Sequence, residues 1–116
     1  MRELCRLDSI PDGGARGFPA APGGFTGLFA VRQGDTAFVY VNCCPHVGTA
    51  LDSAMHGGPG RFLSADGARI ACATHGALFG IADGVCTAGP CVGARLEAVP
   101  AQIINGLLLV PADAGL

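Results

Sequence analysis

Two short segments of this chain must meet in space, and that requirement limits its folds more than anything else in the sequence. One is Cys44-Pro45-His46-Val47-Gly48; the other is Cys72-Ala73-Thr74-His75-Gly76-Ala77-Leu78-Phe79. Each offers one thiolate and one imidazole, spaced so that both donors sit on a single tight loop. Two such loops facing each other supply two sulfurs and two nitrogens. That donor set suits either a tetrahedral zinc ion or a 2Fe-2S cluster with mixed ligation. Either one needs a scaffold that carries two loops, remote in sequence, to one point.

The surrounding sequence reads as hairpins that do this. Residues 27–32 and 37–42 are rich in β-formers (Leu28-Phe29-Ala30-Val31, then Phe38-Val39-Tyr40-Val41) and flank Gln33-Gly34-Asp35-Thr36, a hairpin signal. Its second strand runs straight into Cys44. Residues 61–63 and 69–72 flank Ala65-Asp66-Gly67, a second hairpin, which delivers Cys72. Further strands are expected over 1–7, 15–18, 79–81 with 84–85, and 96–104 with 107–110. The last pair closes on Asn105-Gly106, the strongest short hairpin signal in the chain. Turn chemistry marks 9–14, 82–83 and the Gly-Pro loop at 89–93, while 19–24 reads as loop and 49–60 as a surface excursion. Residues 53–60 are expected to be dispensable for metal binding. No long helix and no repeat is expected, which gives an all-β antiparallel domain.

Composition narrows the function. With 50% hydrophobic and 14% charged residues, the chain can bury a core. Its net charge of −2 and absence of a basic run argue against nucleic acid or a lipid surface. No apolar stretch follows Met1-Arg2-Glu3-Leu4-Cys5-Arg6, so no export signal is expected. Residues 103–110 are too short for a bilayer span and are broken by Asn105-Gly106. The expected location is cytoplasmic. There, six cysteines interleaved with histidine point to metal binding rather than to a disulfide framework.

The pattern Cys-x-His…Cys-x-x-His-Gly resembles the Rieske iron–sulfur family. The likeness extends to the opening strands with Ile10-Pro11-Asp12-Gly13 and to Gly89-Pro90-Cys91-Val92-Gly93, which sits where the family has a proline-bearing covering loop. It implies the Rieske fold, antiparallel sheets with a cluster-binding part at approximately 42–93, as a single domain over 1–116. It implies one 2Fe-2S cluster, with Cys44 and Cys72 on the inner iron and His46 and His75 on the outer one. Gly48 and Gly76 would permit tight turning beside sulfide, Pro45 and Pro90 would stiffen the loops, and Val47, Leu78 and Phe79 would exclude water. Two ferric ions, two sulfides and two thiolates sum to zero charge, whereas four thiolates would leave −2. Rieske centres accordingly lie at about −150 to +300 mV, and plant-type ferredoxins near about −400 mV.

The implied function is soluble electron transfer, with no catalysis by the chain itself. Its partners would be a flavin reductase and an oxygenase or similar acceptor. After His46 and His75 only His56 remains, too few for the non-haem iron site of an oxygenase. Two other readings stand beside this one: an accessory small subunit of a nitrite-reductase-like enzyme, and a structural Cys₂His₂ zinc module. High-potential members of the family resemble one another in a Ser and a Tyr just after the second His-Gly, and in a disulfide beside the cluster. Here those positions hold Ala77 and Phe79, and Thr49 and Thr74, so a low potential is expected. Cys43 is read as a strand residue pointing away from the ligands, Cys5 as a core residue, and His56 as a solvated loop residue. Cys86 and Cys91 either form a small disulfide or pack as thiols under the cluster; a reducing compartment favours thiols.

Overall fold

The computed structural model describes residues 2–18, 27–43, 62–64, 67–72, 77–89 and 92–111. Ten strands lie among them: β1 Arg2–Arg6, β2 Ala15–Phe18, β3 Leu28–Gln33, β4 Thr36–Val41, β5 Ile70–Ala71, β6 Leu78–Phe79, β7 Cys86–Ala88, β8 Ala98–Val99, β9 Gln102–Ile104 and β10 Leu107–Val110. They form three antiparallel sheets, ordered β1-β10-β9, β2-β3-β4-β8 and β5-β6-β7. The only helical turn among the described residues is a 3-10 turn at Leu7–Ser9, so the first strand stops short of its expected end.

The four-stranded sheet is the middle layer. Successive side chains of a strand face opposite ways, and β3 uses both directions. Phe29 and Val31, with Tyr40 of β4, join a core that includes Phe62, Ile70, Cys72, Ala77, Phe79, Cys86 and Leu96. Leu28 and Ala30, with Val39 of β4, join the other core with Cys5, Ile10, Leu108 and Val110. Leu28 to Val31 therefore read as one unbroken apolar run because each has a core to enter. Burying each large apolar side chain contributes about 1.5–3 kcal/mol. Phe29 and Phe62 stack with centroids 4.7 Å apart, fastening the residues before β5 to the central sheet.

Two hairpins form where the sequence places them, whereas the one expected over 79–81 with 84–85 instead pairs Leu78–Phe79 with Cys86–Ala88. Gln33 pairs with Thr36 across Gly34 (φ +61°), a turn with positive φ at its first central residue only. The 9–14 turn locks onto it: Gly34 N–H donates to Asp12 Oδ1 at 2.8 Å, and Arg32 Nη1 donates to the Ile10 carbonyl at 2.9 Å. Asn105 and Gly106 both have positive φ (53° and 77°), as a type I′ turn requires. Another expectation needs correcting. The run 96–104 is not one strand: Ala98–Val99 pairs with β4, and Gln102–Ile104 pairs with β10 in another sheet. Pro100 has no N–H for a ladder, and the chain changes sheets there.

Candidate metal centre

Cys72 follows β5 directly and is 1% exposed. Its N–H donates to the Ala77 carbonyl at 2.8 Å, closing the base of the segment that carries His75. The β5–β6 register, Ile70 with Phe79 and Ala71 with Leu78, continues that closure into the small sheet. Before β5, Leu63 bridges to Ile70, and Ala71 N–H donates to the Phe62 carbonyl at 2.8 Å. Arg69 Nη1 donates to Thr87 Oγ1 at 3.1 Å, joining the approach to β5 with β7. Ile70, Ala77 and Phe79 around Cys72 are all fully buried. The result is a thiol in an apolar setting at the mouth of a pinned loop.

The first motif is reached from β4. That strand ends at Val41; Asn42 N–H donates to the Gly27 carbonyl at 2.9 Å, and Cys43 is half-buried. Cys44, Pro45, His46, Val47, Gly48 and Thr49 lie outside the described residues, as do Thr74, His75, Gly76, Pro90, Cys91, His56 and the segments at 19–24 and 49–60. Of the four expected ligands, the structure thus places Cys72. The two segments carrying the others leave from β4 and β5, elements that border one core: Tyr40 and Cys72 share it. A soft thiolate set in a dry apolar wall fits an iron–sulfur group, whose potential depends on solvent access.

A third segment approaches this region. β7 begins at Cys86, buried, whose Sγ donates to the Ala88 carbonyl at 3.2 Å. Its possible pairing with Cys91 falls outside the described residues. Gly89 (φ +96°) lies so close to the second segment that an added Cβ would stand 2.8 Å from Ala77 Cα. Glycine is required there twice over, for its dihedral and for its lack of a side chain. Cys5 is a core residue on the other face of the central sheet, as expected.

Tyr40 is the functional residue that the sequence reading missed. Its hydroxyl donates to the Ile81 carbonyl at 2.6 Å, and both residues are buried. An added Cβ on Gly84 would stand 2.8 Å from the Tyr40 ring. The central sheet therefore grips the turn at 80–84, which links the exit of the second ligand segment to β7 and the covering loop. Burial, and secondarily the charge of Asp83, push the Tyr40 phenol above its ordinary value. The available signal was that Tyr40 is the chain's one tyrosine, in a strand whose other residues, Thr36 aside, are apolar.

A family model, the Rieske [2Fe-2S] domain, matches residues 4–104. Among solved structures, the ferredoxin of carbazole 1,9a-dioxygenase from Nocardioides aromaticivorans IC177 is similar at 27% identity and a TM-score of 0.71, with 94% of each chain covered. A Sphingomonas yanoikuyae B1 ferredoxin is similar at 25% identity and a TM-score of 0.66, covering 94% of this chain and 95% of that one. A chain from a complex of reduced oxygenase and oxidised ferredoxin in carbazole 1,9a-dioxygenase shares the fold at 22% identity and a TM-score of 0.74, over 95% and 100% of the two chains. Comparison with curated proteins gave no match.

Proposed function

Because the chain belongs to the Rieske 2Fe-2S family, we propose that it holds its cluster through Cys44, His46, Cys72 and His75 and passes single electrons, at low potential, between a flavin reductase and an oxygenase or similar acceptor. The family makes the metal group 2Fe-2S rather than the zinc that the donor set alone also allowed, and likeness to ferredoxins over nearly the whole of both chains makes the protein an electron carrier rather than an enzyme. When bound, the cluster takes up and releases one electron. The chain's own residues do the rest. Cys72 is presented from a pinned loop, Ile70, Ala77 and Phe79 keep water from its sulfur, and Tyr40 and Gly89 hold the covering segment in place.

The observation that carries the reading is the family match, whose span includes all four ligand positions. The ferredoxin of carbazole 1,9a-dioxygenase among the similar structures supports an oxygenase as acceptor. Low potential is supported by Ala77 and Phe79, fully buried and without a hydroxyl. One domain over 1–116 and a cytoplasmic location complete the proposal. No helix among the described residues is long and apolar enough to cross a membrane. The test is the visible and electron-paramagnetic spectrum of aerobically purified protein, followed by voltammetry. A red-brown protein with a Rieske signal near about −150 mV is expected. A colourless protein overturns the ligand assignment, and a clearly positive potential overturns the low-potential role.

A further inference from the structure

In the sheet remote from Cys72, one edge lacks the protection that sheet edges ordinarily carry. β9, Gln102–Ile104, is the outermost strand of the order β1-β10-β9, and all three of its residues are exposed. Three large apolar side chains are exposed among the described residues, and two of them are its neighbours Ile103 (36%) and Ile104 (47%). From 98 to 112 the chain contains no Asp, Glu, Lys or Arg. An edge strand offers backbone groups to any other strand, so it is usually blunted by a charge, a proline or a bulge. The opposite edge of the same sheet is blunted in this way: β1 carries Arg2, Glu3 and Arg6, and its register shifts between Glu3 and Cys5. Gln102-Ile103-Ile104 carries neither charge nor proline, and its register with β10 is unbroken.

The backbone geometry selects what fits this edge. Ile104 and Leu107 close the two-residue turn at Asn105-Gly106 and so form a hydrogen-bonded pair. Such pairs alternate along an antiparallel ladder, so the N–H and C=O of Ile103, which lies opposite Leu108, point outward from the edge. A second β9 laid antiparallel about a two-fold axis at Ile103 meets that residue with its own copy, and the two exchange both backbone bonds. Gln102 then faces Ile104 of the second copy, and no charges meet. Ile103 shares a face with Leu108, which is fully buried, so its copy covers a side chain that the rim of this core leaves exposed. β1 is unsuited to the same symmetry: centred on Leu4, it would set Arg2 against Arg6, like charges that repel. Nor does β1 of another copy suit β9, which has no charge to answer Arg2, Glu3 and Arg6. We propose that β9 pairs with β9 of a second copy of this chain, joining the two three-stranded sheets into one continuous sheet in a closed two-fold dimer. Cys72 belongs to the core on the other face of the central sheet, so the contact lies away from it in both copies.

A three-residue edge buries less than the roughly 1,200–2,000 Å² of a standard interface, so the dimer exchanges with monomer, with a dissociation constant on the order of 0.1 mM. Sedimentation equilibrium of the holoprotein is expected to give a mass close to the monomer's at about 10 µM and to approach the dimer's at about 1 mM. A mass that stays monomeric throughout, or one that climbs past the dimer, overturns the proposal. Ile103→Lys sets two like charges face to face and is expected to weaken association at least about tenfold. Val92→Lys, which removes the other exposed large apolar side chain, is expected to leave it within about twofold. An Ile103→Lys protein that associates as the parent does refutes the contact. Amide exchange in the parent protein makes the test independent of how the variants fold. The Ile103 N–H is expected to exchange about fourfold more slowly at about 1 mM than at about 10 µM, as the monomer fraction falls. Gln102 and Ile104, whose N–H groups already face β10, are expected to keep their rates. Equal exchange of Ile103 at the two concentrations refutes the strand pairing. None of these readouts uses the cluster, so they stand apart from the ligand assignment.

Discussion

Ala77 and Phe79 are fully buried, one against Gly89 and the other in the core with Cys72. A hydroxyl at either place would donate toward the cluster sulfurs and favour the more negative, reduced state. Ala77→Ser with Phe79→Tyr is therefore expected to raise the potential by on the order of 100 mV, from two charge-assisted bonds of about 1.5–3 kcal/mol each at most. Voltammetry of the folded double variant checks this, and no rise would mean that backbone amides dominate. His75→Ala is expected to abolish the Rieske spectrum; a full cluster in that variant would remove His75 from the ligand set. The proposed ligand residues rest on donor type and spacing, which are local properties. Tyr40 was not legible, because what matters about it is a carbonyl 41 residues away.

Two elements hold the covering loop, and each has its own failure. Gly89→Ala would drive a Cβ into Ala77 at a positive φ, costing about 1–3 kcal/mol in strain and overpacking. Urea unfolding should show that loss together with faster cluster bleaching; an unchanged midpoint would show that the loop gives way freely. Tyr40→Phe leaves the buried Ile81 carbonyl without its donor, a cost of about 1–3 kcal/mol. Because the phenol's folded pKa is raised, the unfolded chain loses that proton first. Stability is thus intact below about pH 10 and falls as pH rises through the folded value. The alkaline loss should be smaller in Tyr40→Phe, and equal losses in the two proteins would exclude Tyr40 as its source. At this scale the hairpins were legible from their turns: Gly34 and Asn105-Gly106 adopt the dihedrals that their sequences demand. The break at Pro100 was not used, since apolar residues on both sides concealed a change of sheet.

Across the whole molecule the middle sheet feeds two cores, and β3 supplies side chains to both. Loss of either core exposes one face of β3, so a single cooperative transition is expected, with far-ultraviolet dichroism and cluster absorbance falling together on heating. Bleaching well before the loss of strand signal would show that the cluster part unfolds separately. The overall plan was legible as an all-β fold because alternation and turns repeat along the chain. The division of labour between the two faces was not, since it depends on which strands meet. One pairing has a further consequence. Arg2 lies opposite Val110 in β1 and β10, so the start and finish of the described fold are ladder neighbours about 5 Å apart. They belong to the sheet on the far side of the central layer from Cys72. Joining residues 2 and 110 by a short linker and reopening the chain at a surface turn is therefore expected to leave the core that holds Cys72 undisturbed.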